Sequence, residues 1–201
     1  MITLHVLAQS RALRIVWLLE LIGAPYQIKT YARHLETLLA PDELKAVHPL
    51  GKSPVIDDDG FILNESGAIT DYLIQTYGGG RFMPERGSQD YWHYQRWLHY
   101  AEGSLMPLLL LGLVFRKIEN APIPFFIKPV ARKISGNVKN GFIEPQAALH
   151  LAYVENELNG KDWLVSNQLS GADIMMSYPL QAAADRFGLA DYPNIRAYLQ
   201  R

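Results

Sequence analysis

Strand patterning in this chain stops before residue 65, and beyond residue 88 the apolar residues recur only at helical spacing. A chain divided in this way cannot close one sheet from end to end. It has to fold as a mixed α/β unit followed by an all-helical one. Residues 2–7 read as a short buried strand. "SRALRIVWLLELIG" then reads as a helix with Ser10 as its N-cap and Gly23 as its stop. "YQIKTY" at 26–31 alternates and is rich in β-branched and aromatic residues, which gives a second strand and hence a βαβ unit with a parallel pair. "PVI" and "FIL" flank an Asp/Gly-rich turn and read as a hairpin. Ile69, Tyr72, Leu73 and Thr76 then mark an amphipathic helix that starts at Ser66. The stretch between the second strand and the hairpin carries no clear pattern.

"GGGRFMPERGS" at 78–88 reads as a linker between a domain at 1–77 and another at 89–201. In the second domain, Tyr91, Trp92, Tyr94, Trp97, Leu98, Ala101 and Leu105 mark one helix. Ile143, Ala147, Leu151, Val154 and Leu158 mark another. Between them "NAPIPFFIKPVARKISG" is broken by Pro122, Pro124 and Pro129 and is predicted to be a loop with at most a short helical turn. "LSGADI" carries a capping box, Ser170 with Asp173, and a staple pair, Leu169 with Ile174, which predicts a helix buried in the core.

Composition excludes several classes. The 19 basic and 20 acidic side chains nearly cancel, so overall charge gives no reason to expect a nucleic acid or an anionic membrane. With no cysteine, disulfides, thiolate nucleophiles and thiol–disulfide exchange are impossible. The six histidines are scattered without a ligand spacing, so no metal site is predicted. "MITLHVL" is not a signal peptide. The most apolar run, at 105–115, is interrupted by Pro107 and Gly112 and is far short of the roughly 20 residues that a membrane span needs. These features predict a soluble, cytoplasmic protein.

Four motifs fall in order along the whole chain: Ser10 at the first turn, "HPLGKSPV" at 48–55, "NESGAI" at 64–69 and "SGADI" at 170–174. Together they resemble the glutathione transferase family, most closely its serine-type members, with Ser10 followed by Arg14. The resemblance implies a thioredoxin-like first domain, an all-α second domain and a homodimer. It also implies a cis proline at Pro54, which turns the backbone of Ser53 outward so that its N–H and C=O can pair with an extended peptide. That peptide would be glutathione, used as a co-substrate with no cofactor. Ser66 opens a helix and can receive the γ-glutamyl carboxylate, while Glu65 faces the ammonium on the same carbon. Taken singly, Pro54 would be an ordinary edge-strand proline and Ser66 an ordinary N-cap; the ordered set favours two walls of one site.

Positions 6 and 7 are Val and Leu, which leaves no strand tyrosine, so Ser10 is the candidate for activating the thiol; Arg11 or Arg14 would add positive potential, although anchoring the helix is the better reading of Arg14. Lys52 is the first candidate for the glycine carboxylate, with Arg33 and His34 behind it. Tyr100, Leu105, Met106, Leu109 and Phe115 are candidates for the electrophile site, although a core stripe is the better explanation for most of them. The implied reaction is conjugation of the glutathione thiolate to a small hydrophobic electrophile, or reduction of an organic peroxide, in detoxification. The alternative is a non-catalytic binding or regulatory relative. "AQSRALR" departs from the turn of the maleylacetoacetate isomerase class. The chain ends at "YLQR", where many members continue; either a shortened tail leaves the acceptor site more open or the chain is trimmed there.

Overall fold

The computed structural model describes residues 1–201. Its first half is a four-stranded sheet in the order β2-β1-β3-β4, formed by β1 (Ile2–Leu7), β2 (Tyr26–Tyr31), β3 (Val55–Asp58) and β4 (Phe61–Asn64). β1 and β2 are parallel, with Ile2 opposite Tyr26, and β3 runs antiparallel to β1, with Val55 opposite His5. Asp59 and Gly60 turn the β3–β4 hairpin with φ of 49° and 93°, the left-handed pair that a two-residue hairpin loop requires. α1 (Leu13–Ile22) and α3 (Ser66–Tyr77) pack on the sheet and bury Ile15, Leu18, Leu19, Ile69, Leu73 and Ile74 with Ile2, Leu4 and Ile56.

Two local expectations change here. α1 begins at Leu13 with Ala12 as its N-cap, and Ser10 does not cap it. The Ser10 hydroxyl is occupied in a turn of its own, where Oγ accepts from the amide of Ala12 at 3.4 Å, so the chain spends Ser10–Ala12 on that turn before the helix can start. The unpatterned middle contains α2 (Asp42–Val47), six residues whose first turn carries Asp42 and Glu43 and whose one buried anchor is Leu44.

The second half is helical: α4 (Gln89–Tyr100), α5 (Met106–Glu119), α6 (Lys128–Val138), α7 (Glu144–Glu157), α8 (Gly171–Phe187) and α9 (Pro193–Leu199). α6 replaces the predicted loop. Pro129 falls in its first turn, where the missing N–H has no helical partner to lose, so only Pro122 and Pro124 act as breakers. A π-helical stretch, Ala101–Leu105, joins α4 to α5 without a break. The apolar run at 105–115 is therefore part of a 31-residue helix, Gln89–Glu119, which by length and composition alone is apolar enough to cross a membrane. Its row Tyr94, Trp97, Leu98, Ala101, Leu105 and Leu109 is nevertheless buried against α7 and α8.

α8 ties the two halves together. Its capping box forms: Asp173 Oδ2 accepts from the amide and hydroxyl of Ser170 at 2.9 and 3.0 Å. Gly171 lets the start of the helix come so close that a Cβ there would lie 2.7 Å from Ile74 and 2.8 Å from the Tyr94 hydroxyl. In the next turn, Ile174 enters the core of the first half while Met175 and Met176 enter that of the second.

Candidate functional site

A cleft of about 530 Å³ opens where the sheet edge, the start of α1 and the start of α3 meet α5 and α8. Ser10, Arg33, Lys52, Ser53, Pro54, Glu65 and Ser66 all line it, so seven residues picked out along the sequence stand around one space. Leu7, Gln9, Arg11, Asn64, Leu110, Leu113 and Tyr178 complete the wall. A neighbouring cavity of about 550 Å³ lies on the other side of Glu65, but its lining includes none of Ser10, Lys52 or Ser53.

The Ser53–Pro54 bond is cis. The backbone N–H and C=O of Ser53 make no hydrogen bond within the chain, which leaves both available to an extended ligand. The Ser53 side chain, by contrast, is fully used. Its Oγ donates to the carbonyl of His5 at 2.9 Å and accepts from the amide of Leu7 at 3.0 Å. A hydroxyl has one proton, and that of Ser53 is spent on His5. At the 3.1 Å contact between the two hydroxyls, Ser10 is therefore the donor. The turn that presents Ser10 is held by Arg33, whose guanidinium donates to the carbonyls of Ala8 at 2.8 Å, Leu38 at 2.9 Å and Gln9 at 3.4 Å. Those three carbonyls take one donor from each Arg33 nitrogen, three of its five N–H groups, and make it a brace for the turn.

Arg14 is buried and joins both halves. It donates to Ser66 Oγ at 2.9 Å and to the main-chain carbonyl of Met175 at 2.9 Å, and it pairs with Glu102. That carbonyl is free because Pro179, inside α8, has no N–H to give it. Burial pulls the Arg14 pKa down, and the Glu102 carboxylate opposes the shift. Arg11 pairs with the other oxygen of Glu102, so one carboxylate sits between two guanidiniums and the surroundings of Ser10 keep a net positive charge. Tyr178 lies under both guanidiniums, at 6.0 and 5.7 Å from its ring centre.

Ser66 is the first residue of α3, and Glu65 takes the N-cap place with φ 68° and ψ 114°, a strained conformation for a residue with a side chain. Because Arg14 donates into the Ser66 oxygen, the Ser66 proton points away from Arg14 and is free to donate. The Glu65 carboxylate and the Lys52 ammonium are exposed and make no ion pair within the chain, so both charges remain available in the cleft. A donor hydroxyl at a helix start, a free carboxylate, a free ammonium and an exposed strand-like backbone can together hold a zwitterionic peptide in extended form.

The electrophile-site candidates fall elsewhere. Leu105, Met106 and Leu109 are buried in the helical core, and Tyr100 is turned inward, with its hydroxyl 2.5 Å from His150 Nδ1 and its ring against Trp97. The apolar residues of α5 that reach the cleft are Leu110 and Leu113, one face further round, together with Tyr178. A helical stripe in the sequence shows that one face is apolar; it does not distinguish the residues at the edge of that face from those at its centre. Glu102 gave no sequence signal at all, since only the fold brings it to Arg11 and Arg14.

Residues 1–75 match the family model "Glutathione S-transferase, N-terminal domain", and residues 143–201 match "Glutathione S-transferase, C-terminal domain". The chain is 34% identical over 201 residues to glutathione S-transferase 3 of Schizosaccharomyces pombe, an alignment covering all of this chain and 82% of that protein. It is 35% identical over 208 residues to glutathione S-transferase 1 of Saccharomyces cerevisiae, covering 99% and 88% of the two chains. Among solved structures, a glutathione S-transferase from Actinobacillus pleuropneumoniae superposes with a TM-score of 0.80 at 40% identity, covering all of this chain and 86% of the other.

Proposed function

Since the chain belongs to the glutathione S-transferase family, we propose that its cleft holds glutathione along the Ser53 backbone and that Ser10 stabilises the thiolate. The activity is that of the family, transfer of glutathione to an electrophile. In this reading the cysteinyl main chain of glutathione pairs with the N–H and C=O of Ser53, which no other group in the chain uses. The γ-glutamyl carboxylate meets the Ser66 hydroxyl and the first amides of α3, and its ammonium meets Glu65. The glycine carboxylate meets Lys52. No resident cofactor is required, because glutathione is itself the co-substrate.

A free thiol has a pKa near 8.5, so only a few per cent is ionised at neutral pH. The Ser10 proton, held by Ser53 Oγ in the unliganded cleft, turns to the sulfur and donates a charge-assisted hydrogen bond. The start of α1 and the net positive charge of the Arg11–Glu102–Arg14 group favour the same anion. Each unit by which the pKa falls corresponds to about 1.4 kcal/mol of preferential stabilisation of the thiolate. The sulfur lone pair then attacks the electrophilic carbon and the leaving group departs with its bonding pair, while the thiol proton has already passed to water. Leu110, Leu113 and Tyr178 offer the electrophile an apolar wall.

The observation that carries this reading is that the seven residues share one cleft in which Ser10 is a hydrogen-bond donor. A homodimer and a cytoplasmic location belong to the same reading. The test is glutathione titration by calorimetry, followed by conjugation of a chloronitrobenzene. Saturable glutathione binding with turnover supports the enzyme; binding without turnover on any electrophile in a broad panel would point to a non-catalytic relative.

A further inference from the structure

The chain is nearly neutral as a whole, but residues 120–143 are not. They contain Lys128, Arg132, Lys133 and Lys139 and none of the 20 acidic side chains. Lys139 is already paired with Glu119, which leaves three uncommitted cations, all on α6. The same segment has the densest exposed apolar surface of the chain. Phe125 and Phe126 are 83% and 67% exposed in the turn that precedes α6. Ile127, Val130 and Ile134 follow at the spacing that places them on one helix face, and Val130 and Ile134 are 56% and 57% exposed. Side chains of this size do not gather on a surface in water without a partner. Ser135 is the buried residue of α6, and Val130 and Ile134, roughly 140° and 100° round the helix from it, face outward.

We propose that Phe125–Ile134 docks on the surface of a lipid bilayer that carries anionic headgroups. A helix with an apolar row, three basic residues and no acidic residue has the composition of an element that lies in the plane of a membrane interface. Phe125 and Phe126 enter the boundary between headgroups and acyl chains, and Lys128, Arg132 and Lys133 reach the headgroup phosphates from their flexible stems. Charge decides for lipid over a second copy of this chain. Two copies meeting through this face would bring six uncommitted cations together with no carboxylate between them, and would repel. The docking is peripheral, since α6 is 11 residues long and a bilayer span needs roughly 20. None of the docking residues lines the cleft, so this proposal does not depend on the glutathione reading.

The experiment is co-sedimentation of the full chain with vesicles of phosphatidylcholine alone and of phosphatidylcholine mixed with phosphatidylserine, at low and high salt. The wild type should pellet with the phosphatidylserine vesicles, and salt should weaken the association. Each basic residue replaced in a Lys128→Gln, Arg132→Gln, Lys133→Gln series should lower partitioning by roughly five-fold. The pair Phe125→Ser and Phe126→Ser should abolish pelleting while leaving turnover in solution and the melting curve at wild-type values, which shows that the variant is folded. A wild type that stays in the supernatant with both vesicle types at low salt overturns the proposal. So does equal binding to both vesicle types, or vesicle binding by the variants that matches the wild type. Self-association of the wild type that the phenylalanine pair removes, without any vesicle binding, would assign the face to a second copy and also overturn it.

Discussion

Ser10 donates its hydroxyl proton to Ser53, across 3.1 Å, because the proton of Ser53 is already committed to the carbonyl of His5. The group proposed to stabilise the thiolate therefore rests against a competing acceptor until glutathione arrives. Its two ends can be separated by mutation. Ser10→Ala should keep glutathione affinity within a few-fold, lower turnover by roughly ten-fold or more, and raise the pKa of the bound thiol. Ser53→Ala removes the competitor and should not raise that pKa. It should instead cost about 1–3 kcal/mol of stability, because the Leu7 amide and the His5 carbonyl lose their partner. Ultraviolet titration of bound glutathione with melting curves on both variants checks this, and a raised thiol pKa in Ser53→Ala would contradict it.

Glu65 and Ser66 should matter to the ligand more than to the fold. Ser66 is not the cap of α3, so Ser66→Ala loses no capping bond and deprives Arg14 of one acceptor. Its larger effect should be on glutathione, weakened by about 1.5–3 kcal/mol through the lost charge-assisted bond. Glu65→Gln should reduce affinity and leave the melting temperature of the unliganded protein in place. Calorimetry on both variants decides; normal affinity with lowered melting temperatures would return the pair to a purely structural role.

Lys52 can be isolated by shortening the substrate. If its ammonium meets the glycine carboxylate, Lys52→Ala should raise the KM for glutathione roughly five- to ten-fold, with kcat nearly unchanged. The same variant should handle γ-glutamylcysteine, which has no glycine, as the wild type does. An equal rise in KM for both substrates would remove Lys52 from that role.

His5 predicts how stability depends on pH. Burial lowers its pKa and Lys29 lowers it further, against a weaker opposing effect of Asp57, while Nδ1 sits 2.7 Å from the Tyr31 hydroxyl. The depressed value means that the unfolded chain binds a proton before the folded one does. Stability is then at its full level above about pH 6.5, the ordinary histidine value, and declines as pH falls toward the folded value. His150, also lowered by burial, adds to the same decline. Melting temperatures taken from pH 8 to pH 5 should fall less steeply below 6.5 in His5→Asn than in the wild type; parallel curves would refute the assignment.

The proposed homodimer has a surface to use. β4 is an edge strand with Phe61 and Ile62 exposed, and Trp92 is 65% exposed on α4. Sedimentation at micromolar concentration should give twice the 22.7 kDa chain mass, and Trp92→Glu should shift the population toward monomer. A wild type that sediments only as a single chain would exclude the dimer.

The strands and one wall of the cleft were legible because their chemistry is local. A short buried run marks β1, alternation marks β2, an Asp/Gly-rich turn marks the hairpin, and "KSP" and "NES" keep adjacent in sequence groups that line one cleft. What the sequence hid was of two kinds. Breakers mislead when position decides their effect: Pro129 starts α6 and does not end it, and Ser10 looks like a cap because a capping serine and a serine in its own turn have the same composition. Through-space partners leave no pattern at all. Nothing near Glu102 announces Arg11 and Arg14, and nothing in the apolar stripe of α5 separates Leu109, buried in the core, from Leu110, in the cleft.

Pro179 has a bearing on how such proteins can be recombined. The carbonyl that it frees on Met175 is filled by a side chain from the other half of the chain, so a defect in one half is the receptor for the other. Chimeras that graft residues 1–77 of this chain onto a relative's helical half will therefore divide by what that partner carries at the equivalent of position 179. With proline there, the acceptor for Arg14 is retained. With any other residue the helix has an N–H of its own for that carbonyl, and the guanidinium has to share the acceptor. At this contact of the seam, compatibility depends on Pro179 in α8 and Arg14 in α1 together.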